Sequence, residues 1–99
     1  MMKNSVSVCQ LVEEFAEQFC DIMSVTRDEN ESRIAWFFEN NYNGSQFVII
    51  YDHSNSLHHR DGIHIDLPID IDSLNYVVDC ALRQGVSMIY VHNQSSLVR

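Results

Sequence analysis

Histidine and aspartate crowd one short stretch of the chain, where His58, His59, Asp61, His64 and Asp66 fall within nine residues. Imidazole nitrogens and carboxylate oxygens are proper ligands for zinc or a similar ion, so a metal-dependent hydrolase is one reading of this cluster. The spacing matches no established ligand motif, and only His64 and Asp66 are brought to one side by strand-like alternation. A metal centre needs fixed ligand geometry and supporting hydrogen bonds, so no bound metal is expected. Other catalytic constellations are weaker still. No Ser lies in a Gly-x-Ser-x-Gly elbow, and with three glycines in all, no glycine-rich loop precedes a helix to cradle phosphate. The three cysteines, Cys9, Cys20 and Cys80, are odd in number and in no metal-ligand spacing, which points to reduced, buried thiols. Glu13 with Glu17 reads as a solvated helix face, and Asp70 with Asp72 as a helix cap. No enzymatic activity and no cofactor are expected.

Charge is the more informative chemistry. Fourteen acidic residues against six Lys plus Arg give a formal charge of −8 and a pI near 4.8. Such a chain repels phosphate backbones, because nucleic-acid affinity rests on cations that displace counterions, so direct nucleic-acid binding is not expected. An acidic field steers a protein toward basic surfaces, including the basic grooves of proteins that bind nucleic acid. Glu14, Glu17 and Asp21 follow at steps of three and four, with Glu13 adjacent, as a row along one helix side that imitates a line of phosphates.

The elements that position these groups are read from period and punctuation. Val6 and Ser7 with Gln10 and Leu11 form a capping box and staple, and Val8, Leu11, Val12, Phe15, Phe19 and Ile22 make an apolar stripe, predicting a helix over 8–23. Residues 26–32 read as a polar, acidic connection. Residues 33–52 read as a hairpin, with Asn43-Gly44 at the centre of a type I′ turn; counting back sets Phe38 against Ile49 and Trp36 against Tyr51. An irregular loop over 53–62 follows, then a strand over 62–67 that Pro68 stops. Asp70 can cap a second helix stapled by Ile69 and Leu74, with Gly85 at its left-handed end. Residues 86–92 are rich in Val, Ile, Met and Tyr and read as the last strand.

The order is α-β-β-β-α-β in a single domain over 1–99: an α+β two-layer sandwich. Its sheet is expected to be four-stranded and mostly antiparallel, with two helices on one face. The three strands before the second helix are expected to form a meander, with the last strand parallel to its neighbour. If the helices cover Trp36, the other hairpin face carries Ala35, Phe37, Val48 and Ile50, an apolar patch composed like an interface. Phe37, Val48 and Ile50 are therefore expected to bind a protein partner or to form a homodimer. No apolar run approaches a membrane span and the first residues do not form a signal peptide, so a cytoplasmic location and no membrane contact are expected.

The leading expectation is a small, acidic, non-enzymatic protein-binding protein whose partner has a basic surface. Its role would be to inhibit host nucleic-acid-handling or defence machinery, as phage and mobile-element proteins of the anti-CRISPR kind do. A second expectation comes from element order and low pI, which are similar to part of the type III secretion chaperones. That resemblance implies an acidic homodimer binding an effector in extended form, although the extra strand and final helix of those chaperones have no counterpart here.

Overall fold

The computed structural model describes residues 3–52 and 61–92, with side chains from Val8 onward. The elements are α1 (Lys3–Gln18), β1 (Met23–Glu29), β2 (Arg33–Asn40), β3 (Gln46–Asp52), β4 (Ile63–Asp66), α2 (Ile71–Arg83) and β5 (Met88–His92). They form one five-stranded mixed sheet in the order β1-β2-β3-β5-β4. The α+β class is as expected; the four-stranded, mostly antiparallel sheet is corrected in strand number, order and direction.

The first correction lies at the end of α1. The helix stops at Gln18, and a tight turn carried by Phe19 N–H to Ala16 O (3.1 Å) and Ile22 N–H to Phe19 O (3.0 Å) leads into β1. Residues 26–32, expected as a connection, instead supply most of a strand paired antiparallel with β2. At its other end α1 begins at Lys3, so the helix starts before the expected cap and Ser7 lies inside it.

The second correction is the hairpin register. Phe38 pairs with Phe47 and Trp36 with Ile49, two residues away from the expected pairing. A longer loop is the cause: Asn40 N–H reaches Ser45 O at 2.8 Å and Gly44 N–H reaches Asn40 O at 2.9 Å. The Asn40 side-chain oxygen holds the loop by accepting from Tyr42 N–H (2.8 Å) and Asn43 N–H (3.1 Å). Because strand side chains alternate with period two, a shift of two leaves every residue on its expected face.

The third correction is the meander. β4 does not neighbour β3; β5 lies between them, parallel to both. β5 is apolar on both sides and buried for most of its length, which suits a central strand, whereas the polar His64 and Asp66 suit β4 to an edge. Gly62 permits the close approach at the start of β4, since a Cβ there would lie 2.7 Å from Met88 O and 2.8 Å from a Tyr90 ring carbon.

Both helices cover the same sheet face. Val8, Val12 and Phe15 of α1 and Leu74, Val78 and Ala81 of α2 pack on Ile34, Trp36, Phe38, Ile49, Ile89 and Val91. The Phe38 and Phe47 rings stack at 4.6 Å, and Phe15 meets Phe38 edge-on at 5.5 Å. Each such buried ring contributes about 2–3 kcal/mol by leaving water. Asp70 caps α2 by accepting from Ser73 N–H at 2.8 Å. The helix closes with Gly85 N–H on Leu82 O (3.1 Å) and Val86 N–H on Ala81 O (2.8 Å), Gly85 adopting φ +78°. Among the described residues no helix is long and apolar enough to cross a membrane.

Candidate protein-binding surface

Strand alternation sends Ala35, Phe37, Val48, Ile50, Met88 and Tyr90 to the sheet face away from the helices. They do not form the uncovered patch that the alternation alone implies. Val48 and Ile50 are only 6 % exposed, and with Ala35 and Tyr90 they make a second, smaller core. Phe37 is the exception at 47 %. Its ring borders a shallow groove of about 350 Å³ in which the apolar Phe37, Val48 and Met88 meet the polar Ser24, Thr26, Glu39, Gln46 and Ser87. Four strands contribute to this groove, and β1 supplies Ser24, which lies between the expected helix and connection, and Thr26, which the sequence places in the connection.

The same face carries a histidine pair farther along the parallel strands. His64 Nδ1 and His92 Nε2 are 2.7 Å apart, their ring planes differ by 7°, and the centroids are 4.9 Å apart. Nearly parallel rings whose atoms approach within 2.7 Å have no room for a π-stack, so the rings lie edge to edge and share one proton. The Tyr90 ring lies 4.9 Å from that of His64, and Asp52 and His92 are buried at 3 % and 1 % exposure. One nitrogen of each imidazole is thus engaged by the other. Among the described residues, no group of three or more His, Cys, Asp or Glu side chains is arranged to hold a metal. Of the expected cluster, Asp61, His64 and Asp66 are placed, while His58, His59 and most of the 53–62 loop lie outside the described residues.

No family model, curated protein or solved structure matches this chain.

The acidic residues divide by element. Glu13, Glu14 and Glu17 are exposed on α1, but Asp21 follows the end of the helix, so the expected row of Glu14, Glu17 and Asp21 is broken after Glu17. Glu13 turns toward β1, its carboxylate 3.6 Å from Arg27. Arg27 also donates to Glu29 at 2.9 Å, reaches Cys9 Sγ at 3.8 Å and lies 5.8 Å from the centroid of the Trp36 ring. Partial desolvation opposes its charge, yet the Glu29 hydrogen bond, with Cys9, Glu29 and Glu13 nearby, holds the Arg27 guanidinium above its ordinary value. The Arg27 guanidinium thereby lies over the Trp36 ring as a cation–π contact, and the buried Nε1 of Trp36 has no hydrogen-bond partner among the described residues. Cys9 and Cys80 are half-buried and Cys20 is exposed, so the expectation of three buried thiols is corrected at Cys20.

Proposed function

We propose that the protein is a non-enzymatic binding module that engages a protein partner through the open sheet face around Phe37. The observation that carries this reading is the Phe37 ring, 47 % exposed beside a groove while Ala35, Val48, Ile50 and Tyr90 on that face are buried. An aromatic ring left partly in water forgoes part of the roughly 2–3 kcal/mol that full burial supplies, and a partner that covers it recovers that free energy. The formal charge of −8 sets the character of the partner, because it speeds encounter with a basic surface and repels an acidic one. Proteins that handle nucleic acid carry such surfaces. A bound acidic module would compete there with phosphate, which gives the specific role proposed here: inhibition of host nucleic-acid-handling or defence machinery.

The test is capture of the partner from a lysate of the host cell on immobilised protein, at low and high salt. Phe37→Ser is expected to melt near wild type and to lose the retained partner. Val48→Asp places a charge at a site 6 % exposed and is expected to destabilise the fold by about 3 kcal/mol, lowering the melting midpoint by about 15 °C. Retention of the same partner by a folded Phe37→Ser protein would refute the assignment of this face.

A further inference from the structure

β1 is the longer of the two outer strands of the sheet, and from Ser24 to Glu29 every residue is exposed. Two hydrogen bonds fix which of its main-chain groups face inward. Asn41 N–H donates to Ile22 O at 2.8 Å and Asn30 N–H to Arg33 O at 3.0 Å, so the closely bonded pairs with β2 fall on even-numbered residues of this strand. Ser24, Thr26 and Asp28 therefore bond β2, while Val25, Arg27 and Glu29 turn N–H and C=O to the free edge. Among the described residues, only the odd residue at the start of the strand is tied back, Met23 N–H donating to Phe19 O at 2.8 Å.

The electrostatics of that edge are one-sided. Side chains of odd residues share the helix side, where Glu13 sits against Arg27 and Glu17 follows one turn along α1. Arg27 is already engaged by Glu13 and Glu29, so its charge is matched locally. Glu17 remains on this side, Asp28 lies on the other, and Glu31 follows in the turn. An acidic, unpaired strand edge selects its occupant. A second copy of this chain would set one net-negative edge against another, Asp28, Glu29 and Glu31 outnumbering Arg27 on each, which is unfavourable. An extended segment with cations at alternate positions would satisfy both the main chain and the carboxylates.

We propose that the free edge of β1 is a docking strand, to which an extended, lysine- or arginine-rich segment of a partner protein adds as a sixth strand. Its main chain bonds Val25, Arg27 and Glu29, and its alternate cationic side chains lie beside Glu13, Glu17 and Glu29. The other side of the added strand meets Ser24 and Thr26, which continue into the Phe37 groove. This inference rests on the reading of the protein as a binding module and names the chemistry of the partner segment.

The experiment uses the full chain and a short synthetic peptide in which lysine alternates with threonine, followed by titration and amide hydrogen exchange at low salt. Binding is expected to slow exchange at Val25, Arg27 and Glu29. Val25→Pro removes one outward N–H on an edge strand and no ladder bond, so it is expected to fold and to bind roughly tenfold more weakly. N-methylation of the peptide at alternate residues is expected to do the same with the wild-type protein, which keeps the test independent of how the proline variant folds. Equal binding by the methylated peptide would mean that charge attraction suffices, and the proposal falls. No binding at low salt, or protection of the same amides in a dimer of the protein alone, also overturns it. Loss of the captured partner by Phe37→Ser alone, with Val25→Pro retaining it, would leave the module reading standing while removing the docking strand.

Discussion

His64 and His92 illustrate how one short contact constrains chemistry. When both rings are neutral and one proton lies between Nδ1 of His64 and Nε2 of His92, two arrangements exist. If His64 donates, its proton is on Nδ1, and His92, accepting at Nε2, carries its own on Nδ1. If His92 donates, both rings are protonated at Nε2. In either case the tautomers match. Long-range proton–nitrogen NMR at a pH where both rings are neutral is therefore expected to find the same tautomer at His64 and His92, and His64→Phe is expected to release His92 from it. Opposite tautomers would show that the 2.7 Å contact is not a hydrogen bond. His64 was legible in the sequence as a polar residue facing away from the core, but its partner was not, because the pairing joins positions 28 residues apart through parallel strands. Phe37 was legible as a surface aromatic for the simpler reason that alternation alone places it. The burial of Val48 and Ile50 was not, since it depends on Met88 and Tyr90 of β5 lying alongside them.

At the scale of elements, local punctuation was the most readable signal. Asp70, Ile69, Leu74 and Gly85 mark α2 because capping, stapling and left-handed closure each need particular residue types at set offsets. The Asp70 cap also carries a pH dependence. Its side-chain hydrogen bond from Ser73 lowers the carboxyl below the ordinary value of 3.8, so the folded state favours the ionised form. A depressed folded value means that the stabilisation is present in full above the ordinary value and is lost as pH falls through the folded one. Asp70→Ala is expected to melt below wild type at neutral pH, with the gap closing in melts taken progressively below pH 3.8; a constant gap would mean the side chain acts by packing. β1 was the least readable element. Met23, Val25 and Arg27 do alternate, but the third is cationic, and its role over Trp36 appears only once the strand is paired. With no Gly or Pro between Phe15 and Met23, the end of α1 had no local mark, and the helical stripe ran on through Phe19 and Ile22, of which Phe19 still packs against the core from the turn.

For the whole molecule, the two-layer arrangement follows from amphipathic helices and one apolar sheet face, whereas strand order depends on which strand can be buried on both sides. The charge of −8 acts at this scale too, and its placement on α1 is costly. Glu14 and Glu17 lie in the last two turns of a helix that ends at Gln18, and no basic residue occupies its last turn. Carboxylates near a helix C-terminus face the negative end of the helix dipole, an effect of about 0.3–1 kcal/mol for an exposed group, and neighbouring Glu side chains add a few tenths. Reversing both charges removes these penalties and takes the formal charge from −8 to −4. Glu14→Lys with Glu17→Lys is therefore expected to raise the melting midpoint by a few degrees, as roughly 1 kcal/mol does in a domain of this size. If the acidic surface draws in a basic partner, the same double variant binds that partner more weakly at low ionic strength, and its affinity changes less as salt is added. Stability and binding then move in opposite directions, which separates a charge retained for recognition from one that merely solvates a helix. A variant that melts higher and binds as tightly as wild type across the salt range would assign Glu14 and Glu17 to solvation alone and leave recognition to the Phe37 face.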